Sequence, residues 1–333
     1  MPPFKVLITD YAWPDLDIER QILQQGGAEL LLPARTDVDS LKTAAADVEA
    51  IMTNWAKVPA AVVQAATKCR IIARLGIGLD NIDVAAATER QILVTNVPDY
   101  CLTEVAEHAL ALILALGRKV GFYHLQTKQG QYDLQAGPLL RRLEGQTLGI
   151  VGLGNIGRKL ADKATAVGLR VAASGRTPRE VPGVAWLPLD ELLAASDYVS
   201  LHVPLTPQTR HLIGERELGL MKSSAYLINT ARGGLVDHAA LAAALAAGRL
   251  AGAALDVQDP EPPDLNQPPY NHPGVIVTPH AAFVSLESLA NLRSRAAQQV
   301  IDCLSGRRPE NVVNPEVLGA LRAARPPRSS TCG

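Results

Sequence analysis

The sequence predicts an α/β protein with two doubly wound domains, each built on a parallel sheet, and a cleft between them. Three observations predict it. At 333 residues the chain exceeds the roughly 250–300 residues at which single cores stop growing. Short apolar runs alternate with segments of helical period along most of it, the spacing of βα units. Aromatic residues are scarce while Ala, Leu and Val abound, which favours helices packed on buried parallel strands.

Composition excludes several classes of function. A formal net charge of −1 supplies no bulk attraction to nucleic acid or an anionic membrane. The start, MPPFKVLITDYAWP, lacks the charged-then-apolar pattern of a secretory signal, and the most apolar helix, Ala106 to Leu116, falls short of the about 20 residues that cross a bilayer. Cys69, Cys101, Cys303 and Cys332 have no metal-binding spacing, so they read as reduced thiols of a cytoplasmic protein with no metal site. The pairs Arg141/Arg142 and Arg307/Arg308 read as solvated faces.

Taken in order, Lys5–Thr9, Ala50–Met52 and Arg70–Ala73 read as buried strands, with helices over Leu16–Gln25, Ser40–Ala46 and Ala60–Ala66. A long helix follows from Thr103 to Leu116, with Thr103 as its expected cap and Glu104 and Glu107 in its first turn, where the helix dipole favours acids. Residues 120–145, polar and dotted with glycine, read as an arm or loop. A second series then runs through Thr147–Val151, Arg170–Ser174, Tyr198–Leu201, Ala225–Asn229, Gly252–Asp256 and Val275–Thr278. The last helix, Ser288–Leu304, has no strand partner nearby and is expected to pack back on the first series. This makes a discontinuous domain of residues 1–101 and 284–333 around a second of residues 102–283. The tail RAARPPRSSTCG is expected to be disordered.

The second series opens with GLGNIG between a strand and a helix. Gly152 permits the tight turn, Gly154 the approach of a pyrophosphate, and Gly157 close packing of helix on strand. In that context the motif marks a Rossmann-like dinucleotide domain, its phosphates on the helix N-terminus. An NAD-preferring site carries an acid about 20 residues on. Here Ser174, Gly175, Arg176 and Thr177 occupy that strand end with no carboxylate, and Arg176 can pair with a 2′-phosphate. The reading is NADP(H), with NAD(H) also possible. The alternative is a solvated loop arginine in an enzyme tolerant of both.

Three more segments end strands of this domain: NTARGG, DVQDPEP and TPHAAF. Ligands bind at the carboxyl ends of strands in open α/β sheets, so Arg232, Glu261 and His280 can converge there. The types suit reduction of a 2-oxo acid. Arg232 offers a permanently charged planar fork for a carboxylate and a growing oxyanion. Histidine is the residue type whose ordinary pKa lies nearest neutrality, so His280 can give or take the proton. A carboxylate such as Glu261 raises the pKa of an adjacent imidazole and orients it. Singly, each residue has a blander reading: Arg232 in a surface ion pair, His280 as a hydrogen-bonded structural histidine, Glu261 solvated. Their shared strand-end context favours the functional one. His108, His124, His202, His211, His238 and His272 lack such company and read as structural or exposed.

The stretches RLGIGLDNIDVAAAT, VGLGNIG, LHVPLTPQTRHLI, INTARGGLVD and TPHAAF, in this order, resemble the D-isomer-specific 2-hydroxyacid dehydrogenase family from about residue 45 to 312. The resemblance implies Arg232, Glu261 and His280 as catalytic residues, and contacts of Asn155 and Ile156 with the pyrophosphate. It implies that Val203, Pro204 and Thr209 belong to the dinucleotide site, and that Thr230, Ala231, Arg232, Asp256 and His280 line the nicotinamide side. Trp55 and the amides around Ile77 and Gly78 would meet the substrate, a small 2-oxo or 2-hydroxy acid. It implies a homodimer through the second domain, with the 120–145 arm reaching across.

Within the family, phosphoglycerate dehydrogenases carry an arginine where this chain has Thr53, and Lys57 reads as exposed, which disfavours a phosphorylated substrate. SGRTPR is similar to the corresponding strand end of NADPH-dependent glyoxylate and hydroxypyruvate reductases. LITDYAWP and TPHAAF resemble the carboxy-terminal-binding proteins, dinucleotide-sensing corepressors that keep an acid where Gly175 stands. The reading is a reductase of glyoxylate or hydroxypyruvate. A phosphoglycerate dehydrogenase-like enzyme, a dinucleotide-sensing binding protein and a relative acting on formate or phosphonate are the alternatives.

Overall fold

The computed structural model describes residues 3–138 and 140–319. The chain divides into two units: residues up to Tyr100 together with those from Ser285 onward, and Cys101–Val284.

The first unit runs β1 (Phe4–Ile8), α1 (Asp17–Gln25), β2 (Ala28–Leu31), α2 (Val38–Ala45), β3 (Ala50–Thr53), α3 (Ala60–Ala65), β4 (Ile71–Arg74), α4 (Val84–Glu89) and β5 (Leu93–Thr95). Its five strands are parallel, in the order β2-β1-β3-β4-β5. In β3 and β4 every residue is buried, because helices cover both faces of the sheet. These central strands are what apolar runs announce. The edge strand β2, partly open, and β5, only three residues long, carry too little pattern to be read in advance.

The second unit opens with α5 (Leu102–Arg118) and α6 (Val120–Lys128). Helix α5 starts one residue before its expected cap. Cys101 is the N-cap residue, with no side-chain capping hydrogen bond, so Thr103 lies inside the first turn, and only Glu104 of the two acids is in that turn. Part of the expected 120–145 loop is helical as α6. None of its residues is buried, so no apolar stripe marks it in the sequence.

Then follow β6 (Thr147–Val151), α7 (Asn155–Ala166), β7 (Arg170–Ser174), β8 (Val184–Trp186), α8 (Leu189–Ala195), β9 (Tyr198–Leu201), α9 (Glu215–Leu220), β10 (Tyr226–Asn229), α10 (His238–Ala246), β11 (Gly252–Leu255) and β12 (Val275–Val277). The parallel sheet is ordered β12-β11-β10-β9-β6-β7-β8. The six expected strands are joined by a short edge strand, β8. The order reverses between β6 and β9, the switch point at which doubly wound sheets open a crevice for ligand.

Helix α11 (Leu286–Leu304) returns to the first unit. Ser285 caps it, accepting from the Ser288 amide while Ser288 Oγ accepts from the Ser285 amide, each at 2.9 Å. Leu292, Ala296, Val300 and Leu304, four residues apart, form one face and join the core made by β1, β3 and β4. At Gly26 a Cβ would lie 2.4 Å from Ile301 Cδ1, so α1 approaches this helix with no room for a side chain. The contact is locked by a buried pair: Arg293 Nη2 donates to Glu19 Oε2 at 2.8 Å and Nε to Oε1 at 2.9 Å, with Glu19 fully buried.

Cys69, Cys101 and Cys303 are buried, and Cys69 and Cys303 are free thiols. Burial pushes Cys69 up to about 12 and Cys303 up to about 11, which leaves both protonated and unreactive. Cys332 and the tail RAARPPRSSTCG lie outside the described residues. Among the described residues no helix is long and apolar enough to cross a membrane.

Candidate active site

Three loops at the carboxyl ends of β10, β11 and β12 build the centre of the second unit. Asn229, fully buried at the end of β10, turns the first. Its Nδ2 donates to the Arg232 carbonyl at 2.8 Å and its Oδ1 accepts from the Ala231 amide at 3.1 Å. Arg232 is held in extended backbone, half-buried, with Nη1 donating to the Ala231 carbonyl at 2.7 Å. A Cβ on Gly233 would lie 2.0 Å from the carbonyl oxygen of Gln258. Only glycine lets the β10 loop press against the β11 loop, and this brings Arg232 next to the segment carrying Glu261.

Asp256, fully buried, organises the other two loops. Its carbonyl accepts from the His280 amide at 2.8 Å, its Oδ1 from the Ala281 amide at 2.8 Å, and its Oδ2 from the Ala282 amide at 2.9 Å. Successive N–H groups on one residue hold His280 at a φ of 51°, a left-handed conformation that a side chain rarely adopts. Gln258 braces the same region, its Nε2 donating to the carbonyls of Leu255 and Thr278, each at 3.1 Å.

On this frame Nδ1 of His280 lies 2.9 Å from Glu261 Oε2, while Glu261 Oε1 accepts from the Gln258 amide at 2.9 Å. The Phe283 ring meets the imidazole edge-on, at 6.0 Å between centroids. Burial pushes the Glu261 carboxyl up. The His280 hydrogen bond and charge, the Gln258 amide and the Arg232 guanidinium outweigh it and hold the carboxyl below its ordinary range. Arg232, Glu261 and His280 thus share one electrostatic neighbourhood. An ionised Glu261 accepts from Nδ1–H, which leaves Nε2 as the nitrogen available for chemistry.

Thr230 is buried and its Oγ1 has no hydrogen-bond partner among the described residues, beside Ala231 at the same strand end. Of the histidines read as structural or exposed, His108 is hydrogen-bonded: from α5 its Nε2 lies 3.1 Å from Thr278 Oγ1 and 3.5 Å from Asp256 Oδ1. His202 is half-buried, its imidazole lowered to about 4 by desolvation, and bonded to Ser200 Oγ at 2.8 Å.

The glycine motif sits at the switch point. Gly152 has a φ of 101°, and a Cβ there would strike the His202 backbone at 2.7 Å, so the turn fits between the ends of β6 and β9. A Cβ on Gly157 would lie 2.4 Å from the Gly152 carbonyl oxygen, whereas nothing lies within 4 Å of one on Gly154. The open position is the one a pyrophosphate needs, in front of the N-terminus of α7. Asn155 Oδ1 accepts from Arg158 Nη2 at 2.8 Å, and Ile156 is half-buried. Beyond β9, Val203 and Pro204 lead into a turn tied by Thr209, whose Oγ1 donates to the Pro204 carbonyl at 2.7 Å and accepts from the Thr206 amide at 2.8 Å. That hydroxyl shapes the turn.

At the end of β7, Ser174 is buried while Gly175, Arg176 and Thr177 are exposed. A Cβ on Gly175 would meet the Trp186 ring at 3.3 Å, so the indole of β8 crowds the place where an acid would stand. Trp186 also lines a cavity of about 530 Å³ with Arg179 and Val184.

In the first unit, Trp55 is pinned through its backbone. Its amide donates to Asp10 Oδ2 at 2.7 Å and the Asn54 amide to Asp10 Oδ1 at 3.1 Å, while Asn81 Nδ2 donates to the carbonyls of Asn54 and Ala56. Thr53 is fully buried, its hydroxyl spent between Thr9 Oγ1 and the Ala56 carbonyl, and Lys57 is exposed. The Ile77 carbonyl accepts from Asn96 Nδ2 at 2.8 Å, and that of Gly78 from Arg74 Nε at 3.0 Å. Asp10, Asn81, Asn96, Asn229 and Gln258 were not foreseen as shaping residues, because an isolated polar residue in a loop carries no periodic signal.

Residues 110–282 match the sequence model of the D-isomer specific 2-hydroxyacid dehydrogenase NAD binding domain. A glyoxylate reductase of Korarchaeum cryptofilum is 41% identical over 279 residues, covering 81% of this chain and 82% of that enzyme. A D-3-phosphoglycerate dehydrogenase of Methanocaldococcus jannaschii is 38% identical over 96% of this chain, which spans 62% of that enzyme. The crystal structure of an NADPH-dependent glyoxylate/hydroxypyruvate reductase from Sinorhizobium meliloti, in complex with NADP and malonate, superposes with a TM-score of 0.84 at 30% identity, covering 94% of this chain and 97% of that one.

Proposed function

The chain belongs to the D-isomer-specific 2-hydroxyacid dehydrogenase family, NAD(P)-dependent oxidoreductases acting on 2-hydroxy acids, and we propose that it reduces a short 2-oxo acid, glyoxylate or hydroxypyruvate, with NADPH. The observation that carries the reading is the His280–Glu261 pair at 2.9 Å, with the Arg232 guanidinium acting on the same carboxylate. The residues at the switch point fit a dinucleotide, since Gly154 is open where a pyrophosphate would lie and Gly152 and Gly157 admit no side chain. When bound, the nicotinamide supplies the hydride for the carbonyl carbon.

The chain's own residues do the rest. Arg232 binds the substrate carboxylate and stabilises the oxyanion that grows on the carbonyl oxygen. His280 delivers a proton from Nε2 to that oxygen, and Glu261 stabilises the imidazolium through Nδ1. In the reverse direction the neutral ring accepts the hydroxyl proton. Trp55 and the amides around Ile77 and Gly78 serve the substrate. Gly175 and Arg176 favour a 2′-phosphate, as no carboxylate repels it. Further parts of the reading are a homodimer, supported by the exposed Tyr132 and Leu134 of the arm, and a cytoplasmic location, supported by the buried thiols of Cys69 and Cys303.

The test is steady-state oxidation of NADPH and NADH with glyoxylate, hydroxypyruvate, pyruvate and phosphohydroxypyruvate. Turnover fastest with NADPH and an unphosphorylated acid supports the reading. A preference for phosphohydroxypyruvate would transfer it to the phosphoglycerate class, which the match over 96% of the chain favours and the buried Thr53 hydroxyl disfavours. If His280→Ala binds dinucleotide and still turns over at the wild-type rate, the proton-transfer role is refuted.

A further inference from the structure

The segment 280–282 is held by the Asp256 carbonyl and carboxylate, and that carboxylate is itself approached from an element that none of the strand-end motifs includes. Helix α5 packs against β10 and β11 and presents His108 to the end of β12. There Thr278 Oγ1 lies 2.5 Å from Asp256 Oδ1, and His108 Nε2 lies 3.1 Å from the same hydroxyl. We propose that His108 is a positioning residue for proton transfer at His280, acting through Thr278 and Asp256. The proposal rests on the reading of His280 as the acid.

The direction of the chain follows from what each group can do. Asp256 already accepts from the Ala281 and Ala282 amides, so as a carboxylate it only accepts, and Thr278 must give its single proton to Oδ1. The Thr278 oxygen then has only lone pairs to offer, so Nε2 of His108 is the donor and carries a proton. His108 Nε2 also stands 3.5 Å from Oδ1 of the fully buried Asp256.

The consequence lies in geometry. Asp256 makes bonds to three successive amides, 280 to 282, and these keep His280 at a φ of 51°. Without His108, the Thr278 hydroxyl gains freedom to turn from Oδ1, and the carboxylate loses its lateral support. The imidazole then samples orientations in which Nε2 no longer meets the carbonyl oxygen. Since dinucleotide phosphates are held at the other loops, binding of dinucleotide is preserved while the chemical step slows.

The experiment compares His108→Leu, His108→Gln, Thr278→Val and the double variant His108→Leu/Thr278→Val, each normalised to the fraction binding NADPH by fluorescence titration. Leu removes the donor, whereas Gln places an amide N–H where Nε2 stands. The expected result is a kcat about 10-fold or more lower in His108→Leu, as displaced catalytic geometry produces, with KM for the oxo acid little changed. His108→Gln should recover most of the rate, and the double variant should be no slower than the worse single one. Wild-type kcat in His108→Leu, a Gln variant no better than Leu, or additive losses in the double variant would each overturn the proposal. If His108→Leu does not fold, Thr278→Val, nearly isosteric, carries the test alone, and a wild-type kcat there would be equally fatal. His280→Ala run in parallel separates the two readings: inactive His280→Ala beside a normal His108→Leu refutes only the role of His108.

Discussion

Oε2 of Glu261 meets Nδ1 of His280 at 2.9 Å, and the two residues reach each other from loops after different strands, β11 and β12. The pair fixes which imidazole nitrogen faces away, and that nitrogen is the one proposed to carry the proton. Glu261→Gln keeps the shape and removes the charge. Its kcat for reduction should fall by about 10- to 100-fold, in the range of lost acid–base assistance, with little change in NADPH affinity, measured by steady-state kinetics beside fluorescence titration.

The same carboxylate has a signature in stability. Its folded pKa lies below the ordinary value, so its contribution is present above the unfolded pKa, about 4.3, and is lost as pH falls through the folded one. The melting temperature of the wild type should therefore exceed that of Glu261→Gln at pH 7, and the gap should close on acidification below pH about 4. A gap that widened in acid would contradict the assignment.

Gly233 is expected to tolerate no side chain. A methyl group 2.0 Å from the Gln258 carbonyl forces the β10 and β11 loops apart. Gly233→Ala should destabilise the protein by about 1–3 kcal/mol and depress kcat through displacement of Arg232 from Glu261. Thermal melting and kinetics on the folded protein read the two effects separately.

Arg176→Ala tests the cofactor reading. Loss of one charge-assisted pair with a phosphate, about 1.5–3 kcal/mol, predicts a KM for NADPH raised about 10-fold or more, while that for NADH stays put. Equal effects on both dinucleotides would reduce Arg176 to a solvated loop residue.

In the first unit, Glu19 and Arg293 form a pair with Glu19 fully buried. Glu19→Ala leaves the guanidinium only the Asp15 carboxylate and carbonyl and should cost up to about 3–5 kcal/mol. The double variant Glu19→Leu/Arg293→Met should recover much of it. Urea melts of the three proteins decide this.

Leu134, 84% exposed on the arm beside Tyr132 at 95%, is the site at which to test the proposed dimer. Leu134→Asp should shift the mass in sedimentation equilibrium toward the monomer, with the fold intact by circular dichroism. An unchanged mass would remove the arm from the interface.

The fold, the family and the strand ends that carry the candidate site were largely legible in the sequence, because a parallel sheet writes its strands as apolar runs and its ligand side as the residues that follow them. Arg232, Glu261 and His280 each follow such a run, and GLGNIG follows another. Local reading failed where a pattern was short or weak, at β2, β5, β8 and the uncovered helix α6. What only the tertiary structure decided is how the loops are held. The Asp256 carboxylate grips amides 25 and 26 residues away, and His108 reaches Thr278 across 170 residues. Gly233 is explained by Gln258 and Gly175 by Trp186, contacts invisible along the chain. The reason is physical. Periodicity reports which side of an element is buried, whereas a hydrogen bond from a side chain to a distant backbone depends on distances that exist only once the sheet has assembled.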